Sequence, residues 1–338
     1  MTTSIQTPVT SQRLLQFSWA FAIPLIIDAA VRNRLFDALA GGPKAADALA
    51  AETGVSERGA RAALNALTSV ELLSKDAEGR YALTPESAAY LVTTSPSFMG
   101  GMFRHTSSQL MPRWLQLKEV IRTGRPAPYA GSEAHGPAHF RELVEDIMPL
   151  SLPAARALAA ELIGEASEAR VLDIGAGSGV WGAALAQRSK RVRVTAMDWP
   201  EVTEVTLSFA ERFGVARQIE TLNGDMFEVD FGAGYQIAVL GQILHSFSEA
   251  RNRALLEKIH AALAPGATLA IAEFLPDEAR ATKTQALIFA VNMLVNTNDG
   301  GTYTYSEIAA WLKEAGFENV RTLEAPGPSP LILADRGP

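Results

Sequence analysis

The chain has 338 residues, with 30 Lys and Arg against 37 Asp and Glu, a formal net charge of −7 and no cysteine. That length can bury a sizeable core in two domains, and an acidic balance without long runs of one sign lacks the electrostatic footprint of a nucleic-acid binder. The absence of cysteine excludes disulfides, thiolate metal sites and a thiol nucleophile, and it fits a cytoplasmic protein.

Met1 to Gln12 carries no basic leader region. The apolar stretch from Phe17 to Ala30 is interrupted by Pro24 and Asp28 and is shorter than a bilayer span. It reads as a helix hydrophobic nearly all round, which must bury itself in a core or against another chain.

Two helices are predicted next, Ala46 to Glu52 and Ser56 to Leu72, around a turn at Gly54. Ser56 is the N-cap of the second, and Ala60, Ala63, Leu64 and Leu67 stand at helical spacing. A hairpin over Lys75 to Leu83 follows, which makes a winged-helix pattern. From Ala45 to Val92 there are four basic and seven acidic residues, a net of −3, and only Arg58 and Arg61 on the second helix could meet phosphate. A DNA-binding regulator is therefore the weaker reading, and a packing module the better one.

Between Ser97 and Glu168 the pattern is helical with Gly and Pro breaks. It carries Phe98, Met99, Met102, Phe103, Met111, Trp114, Phe140 and Met148. Most are ordinary core filling, with Met102, Phe103 and Met148 the candidates to line a substrate pocket. His135 and His139 are four apart, but Gly136 and Pro137 spoil the helix a metal pair would need, and no metal site is expected.

The stretch Val171-Leu172-Asp173-Ile174-Gly175-Ala176-Gly177-Ser178-Gly179 reads as a buried strand, a glycine turn and a helix start with Ser178 as cap. Such a turn at the carboxyl end of a strand is a nucleotide cradle. The third glycine falls one position early for a dinucleotide fingerprint. Asp173 would face phosphate charge in a pyrophosphate site, whereas the ammonium and sulfonium of S-adenosylmethionine would welcome it.

From Arg170 onward strands and helices alternate, the α/β signature. Seven strands are expected, near 170–175, 191–198, 219–223, 235–244, 267–274, 319–325 and 330–335. The last two lie too close for a crossover helix and should form an antiparallel hairpin on a parallel sheet. Ligands of such sheets sit beyond the carboxyl ends of the strands. The second strand ends in Asp198, placed to accept ribose hydroxyls, with Trp199 beside it. The third ends in Gly224-Asp225-Met226-Phe227, where the carboxylate can take an adenine amino group and Met226 and Phe227 can sandwich the ring. The fourth ends in His245, a candidate general base, and the fifth in Glu273, able to hold the imidazole in one tautomer. An amphipathic insertion, Thr282 to Asn298, then places Phe289, Asn292, Met293 and Asn296 on one helix face, a candidate substrate wall.

These residues carry a resemblance. The chain is similar, over nearly its whole length, to the class I small-molecule O-methyltransferases of bacteria and plants, the group of the caffeate, hydroxyindole and polyketide O-methyltransferases. The matching motifs are Leu172 to Gly179, Asp198, Gly224 to Phe227, Leu244-His245, Ala272-Glu273, Gly300-Gly301 and Ala315-Gly316-Phe317. The resemblance implies an α/β fold with a Rossmann-like seven-stranded methyltransferase sheet and an N-terminal, mainly helical, winged-helix-like dimerisation domain. Three regions are expected: 1–100 for dimerisation, 101–165 as a helical connector contributing to the pocket, and 166–338 for catalysis. The resemblance further implies a homodimer acting on a small aromatic molecule, with neither nucleic acid nor membrane as partner. Asp173, Gly175, Gly177, Asp198, Trp199, Gly224, Asp225, Met226 and Phe227 would bind S-adenosylmethionine. His245 would be the base that activates a phenol or enol, and Glu273 its support.

Three positions depart from the family. Ser246 follows the histidine where Asp is usual, Thr302-Tyr303 follows the paired glycines where a second Glu is common, and Gly241 replaces a lysine near the cofactor. Tyr303 is thereby a further catalytic candidate. Methylation at carbon or nitrogen, without a histidine base, is the alternative on the same scaffold.

Overall fold

The computed structural model describes residues 9–127 and 137–338, the side chains of 137–142 excepted. His135 lies outside the described residues, as do the side chains of His139 and Phe140. The chain divides between Met111 and Pro112 into two units.

The first unit begins with α1 (Gln12–Trp19) and α2 (Ala22–Arg32), followed by α3 (Leu35–Leu39), α4 (Ala46–Thr53) and α5 (Glu57–Ser69). Pro24 is tolerated because it falls in the first turn of α2, where a backbone donor has no intrahelical partner. Asp28 is buried, and both of its oxygens accept from Arg32 Nε at 2.9 Å while Ser107 Oγ donates at 2.6 Å. Strands β1 (Leu73–Lys75) and β2 (Tyr81–Leu83) pair antiparallel as the expected wing, and Lys44 forms a separate antiparallel bridge to Tyr81. Ser56 caps α5 through Gly59 N at 3.1 Å, and Ala60, Leu64 and Leu67 are buried with Leu49, Phe36 and Tyr81. The helices α6 (Pro85–Tyr90) and α7 (Gly100–His105) and one π-helical turn over Thr106–Leu110 complete the unit.

No residue of α1 is buried, and Leu14, Leu15, Phe17 and Trp19 are exposed, as is Phe21. The apolar stretch is longer than its sequence suggested, because helix extends past both ends. Gln12–Arg32 covers 21 residues and contains an 18-residue window of mean hydropathy 1.8, enough by length and composition alone to cross a membrane. This corrects the expectation of a segment too short to span.

The short α8 (Met111–Trp114) spans the division, and α9 (Leu117–Thr123) and α10 (Pro137–Leu162) belong to the second unit. The segment 101–165 is thus not a separate connector. α7 stays with the first unit, whereas α10 packs against α11 (Val180–Arg188) and α12 (Pro200–Arg212).

The second unit is built on seven strands: β3 (Arg170–Ile174), β4 (Arg193–Asp198), β5 (Ile219–Asn223), β6 (Tyr235–Gly241), β7 (Leu263–Ala272), β8 (Phe317–Leu323) and β9 (Leu331–Arg336). Their order is β5-β4-β3-β6-β7-β9-β8, with β3 to β7 parallel. β9 runs antiparallel to both β7 and β8, so the expected hairpin is present. Alternation decides which helices cover each face. Val171, Val194, Ile237 and Val239 pack under α10 and α11. Leu172, Ile174, Leu240 and Leu269 pack on the other face under α13 (Glu249–Ala262) and α15 (Tyr305–Glu314). The remaining helix, α14 (Thr284–Asn296), lies between β7 and β8 in the chain, within the bounds read from its periodicity.

The strand order reverses between β3 and β6, the switch point where open α/β sheets bind ligands beyond the strand ends.

Candidate active site

The glycine turn after β3 is set by backbone geometry. Gly175, Gly177 and Gly179 all have positive φ, and a Cβ on Gly175 would stand 2.3 Å from Ile243 Cδ1. Only glycine fits there. Gly179, not Ser178, is the N-cap residue of α11, and no side chain caps that helix. Ser178 is instead buried, which corrects its expected role as cap. The helix's first-turn donors are thereby left to other partners.

One of those donors goes to Asp173. Its Oδ2 accepts from Gly182 N at 2.8 Å, while Oδ1 is buried with no partner. Burial pushes the carboxyl up to about 7, against the Gly182 hydrogen bond and with a smaller push from the Asp198 charge.

Asp198 ends β4 and ties two backbone segments together, accepting from Gly177 N at 2.9 Å and Trp199 N at 2.8 Å. Burial raises its pKa and these two donors oppose the rise. Each oxygen keeps a second acceptor position. Trp199 is partly exposed and begins α12.

Gly224 N donates to the Asp198 carbonyl at 3.1 Å, drawing the end of β5 to the same place. Asp225 Oδ1 accepts from Phe227 N at 2.8 Å, and its other oxygen is uncommitted among the described residues. The Met226 methyl lies 3.6 Å from the position a Gly175 Cβ would take, so the structure brings the two loops together. Lys258 Nζ holds the Met226 carbonyl at 3.0 Å. Phe227 meets Phe247 edge to face at 4.9 Å, and the Arg251 guanidinium lies 4.0 Å over its ring. One face of Phe227 is therefore already covered.

β6 ends at Gly241, earlier than the sequence suggested, and His245 sits on a 3-10 turn over Leu244–Ser246. Gln242, at φ 63°, bends the chain off the strand while its N–H still donates to the Ala272 carbonyl at 2.8 Å. Glu273 follows the last residue of β7. Its Oε2 is 2.8 Å from His245 Nδ1 and its Oε1 accepts from His245 N at 3.2 Å. Both side chains are nearly buried, at 12% and 4% exposure. The carboxylate fixes the proton on Nδ1, leaving Nε2, which has no hydrogen-bond partner among the described residues, as an acceptor. Phe289 packs edge to face on the imidazole at 4.9 Å and stacks on Phe274 at 4.1 Å.

The turn carrying His245 is held at the carbonyls of Leu244, His245 and Phe247. Asn252, fully buried, donates to the Leu244 carbonyl at 2.9 Å and to the Phe247 carbonyl at 3.3 Å. Gly301 N donates to the His245 carbonyl at 2.9 Å. Tyr303 O–H donates to the Phe247 carbonyl at 2.6 Å, and burial pushes its pKa up to about 12, with Asp299 and Glu249 adding to the rise. A hydroxyl so committed positions the turn. The catalytic candidate Tyr303 thus donates to the turn that carries His245.

On α14, Phe289, Asn292 and Asn296 are half-buried, while Met293 is buried at 6% exposure, so the open part of the predicted wall is the first three. Met148 lies on α10, partly buried against the sheet core. Met102 and Phe103 lie on α7, where Phe103 packs on the core of the first unit. Sequence reasoning missed Ile243, Phe274, Asn252 and Trp114. Of these only Phe274, next to Glu273, stood at a position the strand-end rule would inspect. Among the described residues no group of three or more His, Asp or Glu could hold a metal ion.

Known proteins match this arrangement. An O-methyltransferase domain matches residues 114–318, and an O-methyltransferase dimerisation domain matches residues 15–93. The chain is 30% identical to the tetracenomycin polyketide synthesis 8-O-methyl transferase of Streptomyces glaucescens, over 95% of each chain. It is 31% identical to the 3-hydroxy-5-methyl-1-naphthoate 3-O-methyltransferase of Streptomyces sahachiroi, over 89% of this chain and 88% of that one. Human N-acetylserotonin methyltransferase, solved with S-adenosylmethionine, shares the fold at a TM-score of 0.86 and 23% identity, covering 99% of this chain and 100% of that one. A glycine turn, acidic strand ends and a histidine–glutamate pair on a seven-stranded sheet thus stand in a chain that belongs to the O-methyltransferase family, with that family's dimerisation domain before its catalytic one.

Proposed function

We propose that this S-adenosylmethionine-dependent O-methyltransferase methylates a phenolic or enolic hydroxyl of a small aromatic molecule, with His245 as general base. The observation that carries the reading is the 2.8 Å bond from Glu273 to His245 Nδ1, which turns Nε2 into an acceptor. The two Streptomyces relatives, named for O-methylation of a polyketide and of a hydroxynaphthoate, agree with that substrate class.

The residues present fit the cofactor. The orphaned Oδ1 of Asp173 is what an ammonium group would satisfy. Asp198 has acceptor capacity left for ribose hydroxyls, and Asp225 has an oxygen for an adenine amino group. Gly175, Gly177, Gly224, Met226, Phe227 and Trp199 would line the remainder. When bound, the group supplies a methyl carbon made electrophilic by its sulfonium.

A phenol is a weak nucleophile until its proton leaves. Nε2 would accept that proton as the oxygen bonds to the methyl carbon and the carbon–sulfur bond breaks to leave a neutral thioether, and Glu273 would stabilise the imidazolium that takes over the positive charge. Charge is lost as a phenolate meets a sulfonium, so surroundings poor in water favour the step. Phe274 and Phe289 provide them beside the imidazole.

His245→Ala should leave S-adenosylhomocysteine binding intact and lower the methylation rate of a phenol by roughly 10²–10⁴-fold, with Glu273→Gln costing less. A wild-type rate in His245→Ala would remove the base from the mechanism and favour a carbon or nitrogen acceptor. A second outcome follows from Asp173. Its carboxyl, raised to about 7, is largely protonated below that pH in the free protein. An ammonium ligand binds the ionised form, so S-adenosylhomocysteine affinity should rise by about 10-fold per pH unit up to about pH 7 and then level off. Calorimetry on Asp173→Asn should show no such rise; an identical profile would mean Asp173 does not meet the ammonium.

The exposed apolar side chains of α1, which runs into the matched dimerisation domain, are read as the face of a homodimer. Light scattering should give twice the chain mass, and removal of residues before Arg34 should abolish the dimer. A monomeric full-length protein would contradict this.

A further inference from the structure

The fold leaves polar groups unmatched beside the glycine turn. Asp173 accepts the Gly182 N–H through Oδ2, while its Oδ1 is a buried acceptor without a donor. Trp181, the residue before Gly182, presents the opposite. It lies in the first turn of α11 and is 4% exposed, yet its Nε1–H has no hydrogen-bond partner among the described residues. An indole nitrogen can only donate, so this group is satisfied only by an acceptor from outside the chain. A Cβ on Gly241 would fall 2.2 Å from Nε1 and 2.6 Å from Cδ1, so the nitrogen edge of the indole is turned to the carboxyl end of β6. That strand neighbours β3 at the switch point of the sheet.

Ser151 is a second such group. It stands on α10 between Pro149 and Pro153, is 8% exposed, and its hydroxyl makes no hydrogen bond to a described residue, although a helical serine can return its proton to the carbonyl four residues back. Ser151 and Trp181 line one cavity of about 20 Å³ with Gln242, Glu273 and Ser329. Both Glu273 oxygens are already engaged by His245 and the Phe274 N–H, and Ser329 Oγ accepts from Leu275 N. Neither Lys nor Arg is among the described residues that line the cavity. The space suits one water-sized polar group, such as a carboxylate oxygen, and the indole N–H and the serine hydroxyl stand ready to donate to it. An α-amino acid supplies both missing partners from a single carbon: an ammonium for Asp173 and a carboxylate for Trp181 and Ser151.

We propose that Trp181 and Ser151 are cofactor-binding residues that donate to the carboxylate at the amino-acid end of S-adenosylmethionine, so that this chain holds the anion with two neutral donors, one from α11 and one from α10. The inference rests on the reading of Asp173 as the partner of the ammonium on the same carbon.

Calorimetry on the full chain tests it with S-adenosylhomocysteine and two analogues, one decarboxylated and one deaminated. Wild-type protein should bind the decarboxylated analogue about 10-fold or more weakly than S-adenosylhomocysteine. Trp181→Phe keeps an aromatic ring against Gly241 and removes the N–H. It should weaken S-adenosylhomocysteine by about 10-fold, the scale of a hydrogen bond to a charged group, and leave the decarboxylated analogue within about twofold. Ser151→Ala should likewise weaken S-adenosylhomocysteine alone. Equal losses on both ligands, which is what lost packing gives, would overturn the assignment, as would no loss on either or a wild type indifferent to the carboxylate. The deaminated analogue keeps the carboxylate and reports on Asp173 by itself. If it binds as tightly as S-adenosylhomocysteine, the reading of Asp173 fails, and the Trp181→Phe comparison still decides on the carboxylate.

Discussion

The hydrogen bond between Glu273 and His245 is the constraint on which the site depends. It joins the segments that leave two neighbouring parallel strands, β6 and β7, whose last paired residues are Gly241 and Ala272. The register of that pairing places Glu273 opposite the turn carrying His245. A slip of one residue would send the carboxylate to the other face of the sheet. Because the bond is nearly buried, it is insulated from screening, and it selects one imidazole tautomer. Where the resemblance leads one to expect acidic neighbours, the chain has Ser246 and Thr302-Tyr303. In place of acidic groups there, the backbone of the turn is held by Asn252, Gly301 and Tyr303, so orientation comes from the carbonyls as well as from charge.

The cofactor side is arranged by close approach. Ile243, two residues before the histidine, reaches over Gly175 and leaves no room for a Cβ. The same short segment therefore shapes both halves of the site. At Gly241, where the resemblance leads one to expect lysine, a Cβ would fall 2.2 Å from Trp181 Nε1. The indole of α11 and the bare backbone at the end of β6 are complementary, and neither position can be enlarged alone. The departure from the family at 241 is thus half of a pair whose other half is Trp181.

The sheet was legible because its strands are runs of β-branched and apolar residues at even spacing, as Val171 to Ile174 and Val192 to Met197 show. The strand-end rule singled out Asp198, Asp225 and Glu273, which lie at or just after the ends of β4, β5 and β7. It misjudged the end of β6 because Ile243 and Leu244 continue the apolar run, while the positive φ at Gln242 has no sequence mark. Tyr303 was read by position, and its hydroxyl donates to a carbonyl that sequence cannot place. The Trp114–Asn292 contact joins residues 178 apart, beyond the reach of any local pattern. The boundary at Met111 was obscured for a related reason: a helical stretch does not announce which core its faces will join.

The central claim is that Glu273 makes Nε2 of His245 the free acceptor. Nitrogen-15 NMR of histidine-labelled protein with S-adenosylhomocysteine bound tests it without turnover. The account predicts, at a pH where the imidazole is neutral, a protonated Nδ1 and an Nε2 with the shift of a bare ring nitrogen, with that preference weakened in Glu273→Gln. A proton found on Nε2, or a pattern indifferent to Glu273→Gln, would contradict it.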